Sequence, residues 1–214
     1  MTSTSQPHRA GDRGGRRAAT TAHEIAEVAQ RLFVEHGFEE VSVEEIAAAA
    51  GIGRRTFFRY FATKVDVLFV ESPREVASFQ ACLAAAPADE PWDLALRRAT
   101  VEALRLLPGQ EEWARQRAQL VLSVPRLRAH ASTVFTAWQR IASDFAADRL
   151  GLTCTDLQPL SIGHTVLAAT LVAHEYWIAH PGTELDASLE AALDALLPVV
   201  RAPATVVVLD ALGP

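Results

Sequence analysis

Histidine, glutamate and cysteine side chains are the residues of this chain that could act as acids, bases or metal ligands. His174 and Glu175 have the residue types of acid–base catalysis. His180, however, follows His174 by more than the four positions that place two zinc ligands on one helix face, and no serine lies in a nucleophile-elbow motif. Cys82 and Cys154 fit neither a zinc site nor a disulfide framework. We therefore expect no metal and no catalytic site, and an enzyme that uses His174 and Glu175 is kept as an alternative.

Basic side chains are the second group with a possible chemical role. The chain is acidic overall, with a net charge of −6, yet no acidic residue lies between Glu45 and Asp66. A local basic block on an acidic protein is what nucleic-acid binding requires, although a solvated helix face has the same pattern. The cations in this interval are Arg54, Arg55, Arg59 and Lys64.

Three short helices are predicted around the basic block. Residues 21–24 and 42–45 both read as capping boxes, in which a hydroxyl and a glutamate satisfy backbone N–H groups of a first helical turn. A third helix is predicted over 54–61, and its Phe57 and Phe61 are four positions apart, so both can face the first two helices. The side chains expected to point outward are Arg54, Arg55, Phe58 and Arg59.

A fourth helix is predicted to begin at residues 63–66, with Lys64 in its first turn. A cation there opposes the helix dipole, whereas a bound phosphate would reverse that cost. Residues 72–75 read as a further capping box with Pro73 at the first helical position, so we expect the fourth helix to restart there with a kink.

Residues 21–69 resemble the DNA-binding domain of the TetR family of bacterial repressors. The resemblance rests on VSVEEIA (41–47), GIGRRTFFRYF (51–61) and Lys64, and it departs at Gly53, where serine usually caps the helix. It implies a helix-turn-helix whose second helix enters the DNA major groove. The side chains it implies as base-reading are Arg54, Arg55 and Phe58, and those implied as phosphate-binding are Thr21, Ser42, Thr56, Tyr60 and Lys64. Arg59 could do either, and Arg16 and Arg17 could enter the minor groove; the alternative for each arginine is a solvated side chain.

The remainder of the chain is predicted to be helical, because proline and glycine interrupt helical patterns and no strand alternation occurs. The fold class is therefore all-α, with about nine helices. No signal peptide is recognisable, and we expect a cytoplasmic protein. The predicted divisions are a flexible basic arm (1–20), the DNA-binding domain (21–69), a ligand-binding and dimerisation domain (70–201) and an unassigned tail (202–214).

The eighth and ninth helices have the most apolar patterns. Residues 157–174 carry no formal charge but are too polar for a membrane span, so the eighth helix is expected to be buried within protein. The resemblance implies that these two helices pair with their copies in a homodimer, which sets two recognition helices for a palindromic operator. The Leu/Ala face of the ninth helix contains Leu189, Ala192, Leu193 and Leu196.

Aromatic and histidine side chains in the large domain predict a ligand cavity, although each could equally be a core or surface residue. Residues 115–130 and 173–177 resemble the mycofactocin-cluster regulator branch of the family. That likeness suggests an acyl-coenzyme A or similar acyl effector, with arginines at the cavity mouth binding phosphates. The predicted pocket residues are Trp113, Arg117, His130, Trp138, His164, His174 and Trp177, and the candidate mouth residues are Arg115, Arg117, Arg126 and Arg128.

The sequence thus predicts a ligand-responsive repressor that binds double-stranded DNA, without a cofactor, an enzymatic activity or a membrane segment. A DNA-binding activator or an architectural protein without an effector is the main alternative. A large domain without a cavity would favour that alternative.

Overall fold

A computed structural model describes residues 21–201, and within this range the chain forms nine α-helices, one 3-10 segment and no strand. The predicted all-α class is confirmed. The arm with Arg16 and Arg17 and the tail 202–214 lie outside the described residues. The α-helices are α1 Ala22–His36, α2 Val43–Ala49, α3 Arg54–Tyr60, α4 Ser72–Ala84, α5 Trp92–Ala103, α6 Glu111–Ser123, α7 Pro125–Leu150, α8 Leu157–Ala179 and α9 Leu185–Arg201, and the 3-10 segment is Val65–Phe69.

Both predicted N-terminal capping boxes are confirmed. The Glu24 amide donates to Thr21 Oγ1 at 3.2 Å, and the Thr21 amide donates to Glu24 Oε2 at 2.7 Å. The Ser42 and Glu45 pair has the same reciprocal bonds, 3.2 and 2.7 Å long. Each box satisfies donors that a helix N-terminus leaves unpaired, so α1 and α2 begin at defined residues. Gly37, at φ 89°, then ends α1 in the left-handed region that favours glycine.

The first three helices and the 3-10 segment share one apolar core. Ile25, Phe33, Ile46 and Phe57 are fully buried in it, and Leu68 of the 3-10 segment completes it. Burial of each such side chain contributes about 1.5–3 kcal/mol. The core therefore holds α3 against α1 and α2 and leaves the other face of α3 to solvent.

The predicted fourth helix is in fact two elements. The 3-10 segment ends at Phe69, and α4 starts separately at Ser72. The predicted capping box at 72–75 is wrong, because Glu71 occupies the N-cap position and the Glu75 carboxylate pairs with Arg117 on α6. The Glu75 side chain points toward α6 and makes no hydrogen bond to the start of its own helix.

Helices α7, α8 and α9 form the centre of the large domain. Gly163 of α8 lies directly against α7, where an added Cβ would come within 2.5 Å of the Gln139 carbonyl oxygen and also overlap the Ser143 hydroxyl. Only glycine permits this approach. No helix of residues 21–201 is long and apolar enough to cross a membrane.

The predicted Leu/Ala face of α9 packs against its own chain. Leu189 and Leu193 are fully buried in the large-domain core, and Ala192 and Leu196 pack against that core. In the single chain, one side of helix α8 is buried and its other face is exposed. The exposed residues of that α8 face are Leu160, His164, Ala168, Val172 and Tyr176, and beside them α9 exposes Ala187, Ala191 and Ala195.

Candidate DNA interface and ligand cavity

The outward face of α3 is cationic and aromatic. Phe57 and Phe61 are buried in the N-terminal core, so the opposite side chains are left exposed. The predicted division between inward and outward residues is confirmed. The exposed residues are Arg54, Arg55, Phe58 and Arg59.

The exposed arginines of α3 differ in their partners. Arg54 Nε lies 2.6 Å from Glu44 Oε1 of α2, and its guanidinium lies 4.9 Å from the Phe58 ring centroid. Arg59 donates to the Tyr60 hydroxyl at 3.3 Å. Among residues 21–197, whose side chains the structure describes, Arg55 has neither an ion pair nor a hydrogen bond from its side chain. Its five N–H donors are therefore available for bidentate recognition of guanine.

The candidate phosphate-binding residues surround α3. Thr21 and Ser42 lie at the starts of α1 and α2, where their hydroxyls are held by the capping boxes. The Ser42 hydroxyl also donates to Glu45 Oε2 at 2.6 Å. Thr56 and Tyr60 are half-buried on α3.

The ammonium group of Lys64 points at the loop between α1 and α2. Its Nζ lies 2.6 Å from the Phe38 carbonyl oxygen, 2.8 Å from that of Val41 and 3.3 Å from that of Glu39. Partial burial lowers the pKa of Lys64, while Glu39 opposes that shift. All three donors of an ammonium can be used in this way. Lys64 thus orders the loop before α2, and a phosphate would have to compete with these carbonyl groups.

The large domain contains a partly open cavity of about 110 Å³. Helices α4, α6, α7 and α8 supply most of its wall, and Leu68 and Phe69 of the 3-10 segment close the side nearest the first three helices. The same two residues belong to the N-terminal core. The cavity and the DNA-binding helices therefore share a wall. The other apolar wall residues are Leu104, Ala118, Val121, Leu122, Val134, Phe135, Trp138, Val166, Leu167 and Leu171.

The polar groups of the cavity include an ion pair and a histidine. Arg117 donates to Glu75 Oε1 at 2.8 Å, and both side chains are largely buried. The His174 Nδ1 atom lies 2.8 Å from the Thr170 carbonyl oxygen, so it carries the ring proton and donates. Burial lowers the pKa of His174, and the charge of Arg117 lowers it further. The ring is consequently neutral at pH 7.

Three of the predicted pocket residues, Arg117, Trp138 and His174, line the cavity. Four do not. His130 lies 3.4 Å from Asp66 and packs on Phe69, outside the cavity wall. His164 is on the exposed face of α8 and lies 2.7 Å from Gln139 Nε2. Trp113 packs on His23, and Trp177 is buried beside Arg115.

The predicted arginine mouth is also corrected. Arg115 stacks on Trp177 and donates to the carbonyl oxygens of Trp177 and Thr183. It therefore connects α6 to the turn between α8 and α9. Arg126 pairs with Glu39 at 3.7 Å. Neither residue lines the cavity, and Arg128 does not either. Of the four candidate arginines only Arg117 reaches the cavity, because the side chains of the other three leave their helices in different directions.

Sequence reasoning missed Glu75, Leu68 and Phe69 as cavity residues. The sequence pattern predicts Glu75 as part of a helix cap, and it predicts no role for the two apolar residues. A charged residue with helical periodicity on the apolar side of α4 is the signal that could have identified Glu75. Periodicity cannot indicate that a core residue also faces a cavity.

Three polar contacts join α1 and the 3-10 segment to the large domain. Gln30 Nε2 donates to the Trp113 carbonyl oxygen at 2.8 Å, and His23 Nδ1 lies 3.1 Å from Glu71 Oε1. His130 and Asp66 form the third contact. No group of side chains within residues 21–197 is arranged to hold a metal ion.

Two family models match the chain. Residues 25–70 match bacterial regulatory proteins of the tetR family, and residues 90–201 match the MftR C-terminal domain. A candidate mycofactocin biosynthesis transcriptional regulator, MftR of Mycobacterium tuberculosis, is 36% identical over 188 residues, covering 88% of this chain and 94% of that protein. The HTH-type transcriptional regulator TcmR of Streptomyces glaucescens is 29% identical over 195 residues, covering 86% and 85%.

Solved structures have the same fold. FadR of Thermus thermophilus, a repressor in complex with lauroyl-CoA, is 25% identical with a TM-score of 0.51, covering 83% of this chain and 93% of that one. The triclosan complex of SmeT from Stenotrophomonas maltophilia is 21% identical with a TM-score of 0.61, covering 83% and 90%.

Proposed function

Because the chain belongs to the TetR family of bacterial transcriptional regulators, we propose that it represses transcription by binding a palindromic operator as a homodimer and that a small effector releases it. The proposal rests mainly on α3, a recognition helix seated on two capped helices with its arginines exposed. A regulator of bacterial DNA acts in the cytoplasm. Residues 21–69 would bind DNA and residues 70–201 would bind the effector and the second subunit.

In this proposal the exposed face of α3 reads the operator in the major groove. Arg55 is the principal guanine reader, since its guanidinium has no partner among the described residues. Arg54 and Phe58 contribute beside it, and Arg54 must first exchange Glu44 for a base edge. Phosphate contacts come from Thr21, Ser42, Thr56, Tyr60 and Arg59, with Arg16 and Arg17 in the minor groove. Lys64 acts by ordering the loop before α2.

The exposed face of α8 and the alanines of α9 support a homodimer. Val172 and Tyr176 are each 51% exposed in the single chain, and the residues around them on this face are mostly small or apolar. The α9 alanines let a second helix approach closely. A contact of this kind around a two-fold axis would set the spacing of the two α3 helices.

The cavity supports an effector of small apolar or acyl type. Its wall is mostly aliphatic and aromatic, and FadR of Thermus thermophilus binds lauroyl-CoA. An acyl chain could enter the cavity while a coenzyme A group stayed outside. Binding would press on Leu68 and Phe69, which also belong to the core under α3. The effector must bind the DNA-free arrangement more tightly for release to follow.

Selection from a random pool of DNA duplexes tests the proposal. The full-length protein is immobilised at low salt, and the retained duplexes are sequenced. We expect a palindromic consensus with its half-sites about one helical turn apart. Retention of duplexes with no common sequence, by protein that is folded and dimeric, would contradict a sequence-specific regulator. A consensus without two-fold symmetry would contradict the dimer arrangement.

A further inference from the structure

The size of the cavity limits the ligand that can fill it. Its volume is about 110 Å³, and an apolar protein cavity of about 150 Å³ holds one benzene ring. The wall around Phe135 and Val134 is apolar, and Trp138 adds its largely apolar indole ring. The part of a ligand held inside the cavity is therefore no larger than about one ring, and any substituent extends through the open side of the cavity.

The charges of the cavity cancel one another. Arg117 and Glu75 are paired at 2.8 Å, and their side chains are only 16% and 12% exposed. A carboxylate ligand at Arg117 would have to share that guanidinium with Glu75 and would give the site a net negative charge. An ammonium ligand at Glu75 would give it a net positive charge. Either ligand adds an uncompensated charge at a largely buried ion pair in a mostly apolar cavity, which is unfavourable. The arrangement therefore favours an uncharged ligand.

His174 adds one hydrogen-bond acceptor to the cavity wall. Its Nδ1–H is used by the Thr170 carbonyl oxygen, so the lone pair of the neutral ring is on Nε2. No atom of the described residues donates to that nitrogen. Glu75 of α4 and Arg117 of α6 are the charged groups nearest the ring, and they are occupied with each other. A ligand that donates one hydrogen bond would satisfy Nε2.

We infer that the cavity selects an uncharged, ring-sized molecule whose hydroxyl group donates a hydrogen bond to His174 Nε2. This inference rests on the proposed function and specifies the effector of that site. It predicts that a phenol or alcohol binds more tightly than a carboxylic acid of the same shape. It also predicts that a phenol or alcohol binds better than an acyl-coenzyme A, whose acyl chain has no hydrogen-bond donor.

Binding of three matched probes to the full-length protein tests the inference by calorimetry at neutral pH. The probes are 4-propylphenol, 4-propylanisole, which lacks the donor, and 4-propylbenzoate, which is anionic. One net hydrogen bond corresponds to about a five-fold change in affinity. We expect the phenol to bind about five-fold more tightly than the anisole, and the benzoate to bind more weakly than both. Equal binding of phenol and anisole, tighter binding of benzoate, or no binding of any probe at millimolar concentration overturns the inference.

Two substitutions of His174 connect the selectivity to the proposed acceptor. His174→Leu removes the acceptor, and the phenol should then bind no better than the anisole. His174→Gln retains an acceptor oxygen and should keep part of the preference. His36→Leu, which changes an exposed histidine at the end of α1, is the control and should leave all three affinities unchanged. Persistence of the full preference in His174→Leu would overturn the assignment.

Operator binding by the same preparations separates this inference from the proposed function. Failure to bind any DNA sequence selectively counts against the regulator. Loss of phenol selectivity with intact operator binding counts against the inference alone. Hexanoyl-coenzyme A is added as a fourth probe, and its tighter binding, unaffected by His174→Leu, would overturn the hydroxyl ligand while supporting an acyl effector.

Discussion

Glu75 on α4 and Arg117 on α6 form an ion pair 2.8 Å long at the wall of the cavity. The pair joins two helices that lie far apart in the sequence, and it stands next to His174. The same guanidinium lies 5.3 Å from the Trp113 ring centroid. Arg117 therefore connects the cavity with the residues that contact α1.

Glu75→Gln should destabilise the protein by about 2–4 kcal/mol, because it leaves a largely buried guanidinium without its counter-charge. Urea unfolding at fixed protein concentration measures the loss. Glu102→Gln is the matched control, because the Arg105–Glu102 pair is 57% and 48% exposed. That change should cost less than about 1 kcal/mol. Equal effects of both substitutions would show that the cavity pair is no different from a surface pair.

Stability should decrease as the pH falls below about 6.5, the ordinary pKa of histidine. Burial and Arg117 lower the pKa of His174 in the folded chain, so the unfolded chain binds its proton first. The neutral ring's contribution is complete above the unfolded pKa and is lost as the pH falls through the folded one. Unfolding measured between pH about 7.5 and about 5 should show this slope. His174→Gln should show a shallower slope, and an unchanged slope would assign the effect to other groups.

Gly163→Ala should destabilise the protein by about 1–3 kcal/mol, because its Cβ overlaps the backbone of α7 and forces two packed helices apart. Gly182→Ala is the matched control, since nothing lies within 4 Å of its added Cβ. Its effect should stay within about 0.5 kcal/mol. Thermal unfolding of the two variants compares them directly, and a neutral Gly163→Ala would contradict the close approach of α7 and α8.

Arg55→Ala should reduce affinity for the selected operator by about ten-fold or more and relax base preference at one position. Arg54→Ala should cost less, because Glu44 already holds that guanidinium. Glu44→Gln should instead strengthen binding, since it frees Arg54 and removes a negative charge near the phosphates. Fluorescence anisotropy at several salt concentrations measures all three. Glu112→Gln on α6 is the control, and a gain as large as that of Glu44→Gln would indicate a general charge effect.

Ala191→Arg should convert the proposed homodimer into monomers, because it places a long charged side chain on the exposed alanine face of α9. Light scattering after size-exclusion chromatography measures the mass. Affinity for a full palindrome should fall by at least about ten-fold, since the two half-sites are no longer bound together. Ala84→Arg, on the exposed side of α4, should leave the mass unchanged. A dimeric Ala191→Arg protein would exclude this part of α9 from the interface.

Local signals in the sequence were sufficient for the three N-terminal helices. The Thr21 and Ser42 caps and the spacing of Phe57 and Phe61 depend on residues within a few positions of one another, so a linear pattern contains them. The cap predicted at Ser72 failed because Glu75 has a partner on α6, which no local pattern specifies.

The contrast between local and long-range contacts also explains which cavity residues the sequence predicts correctly. Arg117, Trp138 and His174 were identified, whereas His130, His164, Trp113 and Trp177 have similar chemistry but leave their helices in other directions. Residue type indicated that a cavity exists, but its wall depends on how α4, α6, α7 and α8 cross. Lys64 is a comparable case, because its carbonyl partners between Phe38 and Val41 lie more than twenty positions away.

Leu68 and Phe69 face the cavity on one side and the core of the DNA-binding helices on the other. We expect a change at either position to alter effector recognition and operator binding together, so these two positions are poorly suited to the acquisition of a new ligand specificity. Val134, Leu167 and Leu171 line the cavity without belonging to that core. Substitutions in the α7 and α8 walls can therefore change effector specificity, in nature or in a biosensor library, without touching the DNA-binding core. Substitutions in the wall shared with that core are constrained.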